Sequence, residues 1–184
     1  MSVEKEKKYR LDAESKRKVI DALKEMGGEF KGSDREENII HAGGPLRDGG
    51  AIRLRHVGER TLLTFKRRVQ NDSDVKEQIE HETDVSDAEA MRAILKEFGI
   101  EPVLVYEKYR DTWNFRSVEV VLDELPFGTF MEIEGSITGI REAEMLLDIE
   151  ELEVVPETYP AMTSRLGKRN GNLVEARFND IEDA

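Results

Sequence analysis

Residues 3–9 read VEKEKKY, and the fold turns on whether this stretch is a strand. Successive side chains of a strand point to opposite faces, so Glu4, Glu6 and Lys8 would share one. That face then carries two carboxylates and an ammonium within a few residues. Paired carboxylates suit a hard divalent cation, and a neighbouring ammonium suits a phosphate oxygen. The plain alternative is a solvated, charged terminus, which a chain with 37% charged residues produces easily by chance. The other strands decide between the two.

The same alternation recurs outward along the chain. In AIRLRHV (51–57) Arg53 and Arg55 face one way, Ile52 and Leu54 the other. In RTLLTFKRR (60–68) Leu63 and Phe65 oppose Thr64, Lys66 and Arg68. VKEQIEHETDV (75–85) puts Lys76, Gln78, Glu80 and Glu82 together. Residues 103–113 carry Lys108 and Arg110 on one face, and 117–123 carry Glu119, Val121 and Asp123 opposite Val118, Val120 and Leu122. TFMEIEG (129–135) sets Glu132 and Glu134 against Met131 and Ile133.

Charges of one sign thus come in strand-spaced pairs, with acidic and basic pairs on different strands. A merely solubilising face would mix signs along each strand, because neighbouring like charges repel. Closing such a sheet into a barrel would gather Arg53, Arg55, Lys66, Lys108 and Arg110 around one cavity. A triphosphate carries the complementary charge, and guanidinium groups grip its oxygens bidentately. Mg²⁺ or Mn²⁺ would bridge glutamates and phosphate oxygens.

Helix signals punctuate these strands. Asp12 stands as an N-cap before Val19, Ile20, Leu23 and Met26, with Gly27 and Gly28 as the stop. Ser86 is the expected cap of a helix through Phe98, 140–148 reads as a third helix, and Thr158 caps a short last one with Pro160 in its first turn. HAGGPLRDGG (41–50) lacks the GxxxxGK[ST] order of a phosphate loop and reads as a hairpin connection. About eight strands and about four helices joined by short turns argue an antiparallel α+β domain. One domain over 1–168 is expected, with a polar tail at 169–184 that frays.

Composition narrows the partners. The 184 residues hold 40 acidic and 28 basic side chains, a net charge of -12. Such a surface repels nucleic acid and anionic membranes. No apolar run approaches the ~20 residues of a membrane span, and the N-terminus lacks the apolar core of a signal peptide. There is no cysteine, hence no disulfide framework and no thiolate metal site. The expectation is a cytoplasmic protein with a small-molecule triphosphate partner, no nucleic-acid or membrane partner, and a homodimer as an admissible assembly. His41, His56 and His81 show no metal spacing, and no Ser-His-Asp or Cys-His set can be drawn from them.

Taken in order, Glu4-x-Glu6-x-Lys8, GGAIRLR, LLTFK, Lys108-x-Arg110 and VVLDELPFGTFMEIEG resemble the CYTH domain, the triphosphate tunnel metalloenzyme family. That family includes class IV adenylyl cyclases, thiamine triphosphatases and inorganic triphosphatases. The last segment is most similar to the prokaryotic cyclase-like branch. The resemblance implies an α+β fold, an eight-stranded antiparallel closed β-barrel with helices packed outside. It implies triphosphate contacts at Lys8, Arg53, Arg55, Lys66, Lys76, Lys108 and Arg110. It implies Mg²⁺ or Mn²⁺ held by Glu4, Glu6, Asp123, Glu132 and Glu134, and catalytic carboxylates at Glu4, Glu6, Glu80 and Glu82. Gln78 stands where a further basic residue is expected. Three functions follow as expectations: metal-dependent hydrolysis of an inorganic or organic triphosphate, cyclisation of ATP to cyclic AMP and pyrophosphate, or non-catalytic binding of polyphosphate or nucleotide. The retained acids favour an enzyme over the binding module.

Overall fold

Alternation turns the charged stretches into strands, and the apolar partners on their other face find helices. The computed structural model describes residues 2–46, 50–69 and 76–178, with the side chains of 2–4, 68–69 and 76–78 outside that description. The strands are β1 (Ser2–Leu11), β2 (Glu29–Gly43), β3 (Gly50–Val57), β4 (Arg60–Val69), β5 (Lys76–Asp84), β6 (Ile100–Phe115), β7 (Val118–Leu125), β8 (Gly128–Glu134), β9 (Lys168–Asn170) and β10 (Leu173–Ala176). The helices are α1 (Ala13–Glu25), α2 (Ala88–Glu97), α3 (Ile137–Leu146) and α4 (Tyr159–Leu166).

The strands form one sheet in the order β2-β3-β4-β5-β1-β8-β7-β6-β10-β9, with a further antiparallel pairing of β2 and β6. The expected closed, eight-stranded, all-antiparallel barrel is therefore corrected. The sheet has ten strands, β10 joins β6 in parallel, and the order ends on β9, which pairs only with β10 among the described residues. The length of β6 is the reason. β7 pairs with it only from Tyr109 to Phe115, and β10 takes the Leu104–Tyr106 stretch. The segment LVEA that supplies β10 lies in the tail expected to fray, but Val174 and Ala176 are buried. The β2–β6 pairing bends the sheet, so that the charged faces are concave around a cavity of about 400 Å³.

Local chemistry sets the turns and caps. Gly58 takes φ 56° in the two-residue β3–β4 hairpin, where a side chain would be strained. The register of β2 against β6 shifts between Phe30 and Gly32, and Gly32 takes φ 144° there. Asp12 caps α1 by accepting from the Ser15 amide at 2.7 Å. The cap of α2 is Asp87, one residue beyond the expected Ser86, because its carboxylate reaches the Ala90 amide at 2.9 Å. α3 starts at Ile137, since the Ser136 hydroxyl accepts from the Gly139 amide at 3.0 Å. Thr158 caps α4.

The main core lies on the convex side. Tyr9, Leu11, Val120, Leu122, Met131 and Ile133 project from β1, β7 and β8 onto Val19 and Leu23 of α1 and Ile140 and Ala143 of α3. Each such side chain contributes about 1.5–3 kcal/mol when fully buried. This packing holds β1, β8 and β7 rigid, and these three strands present the acidic part of the concave face. A second cluster joins Ile40, Tyr106, Leu125 and Phe130 to Tyr159 and Met162 of α4. It docks α4 so that Thr158, Tyr159 and Pro160 line the cavity.

Candidate functional site

Because side chains alternate, one face of each strand supplies every charged group of the cavity. Glu6 and Lys8 come from β1, Arg53 and Arg55 from β3, Lys66 from β4, and Glu80 and Glu82 from β5. Lys108 and Arg110 come from β6, Glu119 from β7, and Glu132 and Glu134 from β8. Among the described residues six basic and six acidic side chains therefore face one another. Eleven of these twelve were expected as site residues from sequence; Glu119 was placed on the face of Asp123 but given no role.

The cations of the cavity are paired with carboxylates. Lys8 pairs with Glu132 at 3.3 Å, and Arg53 lies 3.8 Å from Glu80 and 3.7 Å from Glu82. Lys66 is ion-paired with Glu80. Arg110 grips Asp123 through Nε at 2.7 Å and Nη2 at 2.6 Å, and reaches Glu132 at 2.9 Å. Lys108 lies between Asp123 at 3.3 Å and Glu36 at 3.4 Å. Among the described residues the Nε groups of Arg53 and Arg55 are buried donors without a hydrogen-bond acceptor. An incoming anion could supply one.

Burial tunes these groups. Burial, then the neighbouring Arg110, pushes Lys108 down to about 8, with Asp123 and Glu36 opposing. Burial, then Arg53, lowers Lys66 and Arg55 as well. At these three positions the pull of the local carboxylates does not offset burial, whereas Asp123, Glu36 and Glu132 raise Arg110 in spite of it. Burial also raises Glu134, and Glu6 and Glu119 raise it further by repulsion. Register explains that repulsion: Glu134 lies directly opposite Glu6 on β1 and Glu119 on β7. Like charges directly opposite destabilise a sheet.

That row of carboxylates tests the fit of a divalent metal. All three donors are hard oxygens, the type that Mg²⁺ and Mn²⁺ take. Their mutual repulsion is relieved by a cation. Among the described residues no three acids, histidines or cysteines already stand in metal-ligating geometry. The donor chemistry fits the metal, while the ligands are not drawn together.

The other expected residues fall as follows. Asp123 is fully buried and does not line the cavity; Arg110, Lys108 and the Tyr159 hydroxyl at 2.9 Å surround it. The side chains of Glu4 and Lys76 lie outside the described residues. His56 and His81 sit away from the cavity, His56 against the Thr61 hydroxyl at 2.9 Å and His81 stacked on Phe65.

Sequence reasoning missed Glu36, Asn38, Tyr106 and Tyr159. Glu36 and Asn38 sit in the run SDREEN, where charge on both parities hides which face turns inward. Only the register of Glu36 against Lys108 reveals it. Tyr159 arrives from a helix after the last long strand, and its ring lies 3.8 Å below Lys8 Nζ. No spacing in the sequence connects it to the strands.

A family model described as the CYTH domain matches residues 2–159. No curated protein is significantly similar in sequence. Among solved structures, the PH1012 protein of Pyrococcus horikoshii superposes with a TM-score of 0.73 at 22% identity, covering 85% of this chain and 96% of that one. HpAC1 of Hippeastrum, described as an adenylyl cyclase candidate with a dominant triphosphatase activity, gives 0.65 at 16% identity, covering 89% and 95%. The Pct1 RNA triphosphatase of Schizosaccharomyces pombe gives 0.51 at 16% identity, covering 82% and 78%. At these identities the likeness is one of fold.

Proposed function

The chain belongs to the CYTH domain family, within the triphosphate tunnel metalloenzyme superfamily, and from that premise we propose that it is a divalent-metal-dependent triphosphatase. The observation that carries this reading is the convergence of six cations and a separate carboxylate row on one cavity. The triphosphatase activities stated for HpAC1 and Pct1, which share the fold, point the same way.

Lys8, Arg53, Arg55, Lys66, Lys108 and Arg110 bind the phosphate oxygens. To do so they give up part of their present pairing with carboxylates. Lys66 releases Glu80, and Arg110 and Lys8 release Glu132. Glu132, with Glu6 and Glu134, would hold the metal. Glu4 belongs to the set that the family resemblance implies; so does Asp123, which would first have to leave Arg110, Lys108 and the Tyr159 hydroxyl. When bound, Mg²⁺ or Mn²⁺ supplies Lewis acidity and a more acidic water. Glu4, Glu6, Glu80 and Glu82, the carboxylates that the resemblance makes catalytic, would accept the proton of the attacking water. Its oxygen bonds to the terminal phosphorus, and the bond from that phosphorus to the bridging oxygen breaks. The electron pair leaves with the diphosphate, and the cations stabilise charge on the transferred group. Tripolyphosphate would yield orthophosphate and pyrophosphate.

Cyclisation of ATP would also need a surface for the base. The cavity's aromatic rings, Tyr106 and Tyr159, are 2% and 6% exposed and belong to the apolar cluster under α4. This supports hydrolysis over cyclisation. The test is product identification after incubation with tripolyphosphate, thiamine triphosphate and ATP, each with Mg²⁺ or Mn²⁺. Orthophosphate release supports the reading. Cyclic AMP with pyrophosphate from ATP, and no orthophosphate from any of the three, would replace it by the cyclase.

A further inference from the structure

Glu36 belongs to none of the roles above, yet it is among the most committed charges in the molecule. It is 3% exposed, on β2, and does not line the cavity. A single oxygen, Oε2, lies 3.4 Å from Lys108 Nζ, 3.5 Å from Arg55 Nε and 3.3 Å from Asn38 Nδ2. Arg55 and Lys108 themselves do line the cavity. The carboxylate therefore contacts two of the cations that line the cavity without lining it itself. Asp123 stands in the same relation to Lys108 and Arg110. Two buried anions thus hold three cations in a row.

We propose that Glu36 is a positioning residue: a fixed internal counter-anion, oriented by Asn38, that holds Arg55 and Lys108 aimed into the cavity for a triphosphate. The proposal rests on the triphosphate reading of the site. Long basic side chains lose much rotamer freedom when they clasp a ligand. Glu36 imposes that loss in the free protein, so less remains to be lost on binding. It also separates charges that would otherwise push Arg55, Lys108 and Arg110 apart. Against burial, which pushes it up, the cations of Lys108, Arg110, Arg55 and Arg53 hold its carboxyl down at about 2, so it stays an anion across the working pH range. Stability alone does not account for such a group, since buried ion networks are often matched or bettered by apolar packing. The rival role is competition: an anion that occupies the cations would weaken phosphate binding, and its removal would tighten it.

Calorimetric titration of the full chain with tripolyphosphate, with and without Mg²⁺, separates these roles. Glu36→Gln keeps the shape and removes the charge. It is expected to weaken tripolyphosphate binding at least tenfold with unchanged stoichiometry, and Glu36→Asp to fall between it and the parent. Unchanged stoichiometry shows that the loss is one of affinity per folded molecule, which a purely structural role would not produce. Should Glu36→Gln not fold, Asn38→Ala leaves the charge and frees the carboxylate, and is expected to weaken binding at least threefold. Parental or tighter binding by folded Glu36→Gln, or by Asn38→Ala where it stands in, overturns the proposal. Failure of the parent protein to bind tripolyphosphate would instead overturn the triphosphate reading, and this proposal with it.

Discussion

At the scale of single residues, the site is defined by charges held away from their ordinary titration. Lys108, at about 8 in the folded protein against 10.5 in a free chain, is the clearest case. Its folded value is lowered, so its charged form opposes folding below about 8, and that opposition is relieved as pH rises towards 10.5. A phosphate beside it reverses the shift. Tripolyphosphate binding at pH 8.5 should therefore take up protons, seen as a dependence of the binding enthalpy on the ionisation enthalpy of the buffer. Lys108→Met should abolish the uptake; uptake of the same size in that variant would place the proton elsewhere. Glu134 is the acidic counterpart, raised by burial, Glu6 and Glu119. Its carboxylate is strained by repulsion while no cation is bound. Glu134→Gln should raise the melting temperature of the metal-free protein at neutral pH by a few degrees, roughly the effect of 1 kcal/mol or less. It should also remove the further rise that Mg²⁺ gives the parent and abolish turnover. A lower metal-free melting temperature, or normal turnover, would remove Glu134 from the metal site.

At the scale of elements, α4 lines the site and β10 pairs with the site strand β6, although both follow the last long strand. α4 brings Tyr159, whose hydroxyl donates to Asp123 Oδ2 and whose ring packs on Phe130 at 5.5 Å. β10 carries Val174 and Ala176 beside β6, and Arg177 beyond it pairs with Glu37, Glu107 and Glu175. Tyr159→Phe keeps the packing and removes one hydrogen bond to a buried carboxylate. It should destabilise the protein by about 1.5–3 kcal/mol, read from the urea midpoint at constant slope. No change would show that Arg110 and Lys108 alone satisfy Asp123. The start of α4 was legible because Thr158 and Pro160 are local signals. Its docking was not, because nothing local says which apolar cluster Tyr159 and Met162 will meet.

For the whole molecule, the net charge of -12 and the six cations that line the cavity act in opposite senses. The acidic exterior disfavours large polyanions, while the cavity of about 400 Å³ gathers cations for a small one. Tripolyphosphate with Mg²⁺ should stabilise the fold by about 2.7 kcal/mol at a hundredfold excess over its Kd. Duplex DNA at the same phosphate concentration should leave the melting temperature unchanged. Equal shifts from both would mean that the cations are reached from outside and do not form an enclosed site.

The period of two in the charged stretches was enough, by itself, to assign faces. Arg53 with Arg55, Lys108 with Arg110, and Glu132 with Glu134 had to share sides, because pleating leaves an extended chain no alternative. The helix caps at Asp12 and Thr158 were equally local, each a side chain reaching an amide three residues on. Register between distant strands could not be read this way. Only tertiary pairing set Glu36 against Lys108 and Glu134 between Glu6 and Glu119. It also placed β10 against the part of β6 that β7 leaves, giving ten strands where eight were expected. Pairing depends on which edges remain free once the longer strands have associated, and that is a property of the assembled sheet. The same holds for charge: the sequence shows which residues are cations, but only the fold decides which carboxylate each one faces.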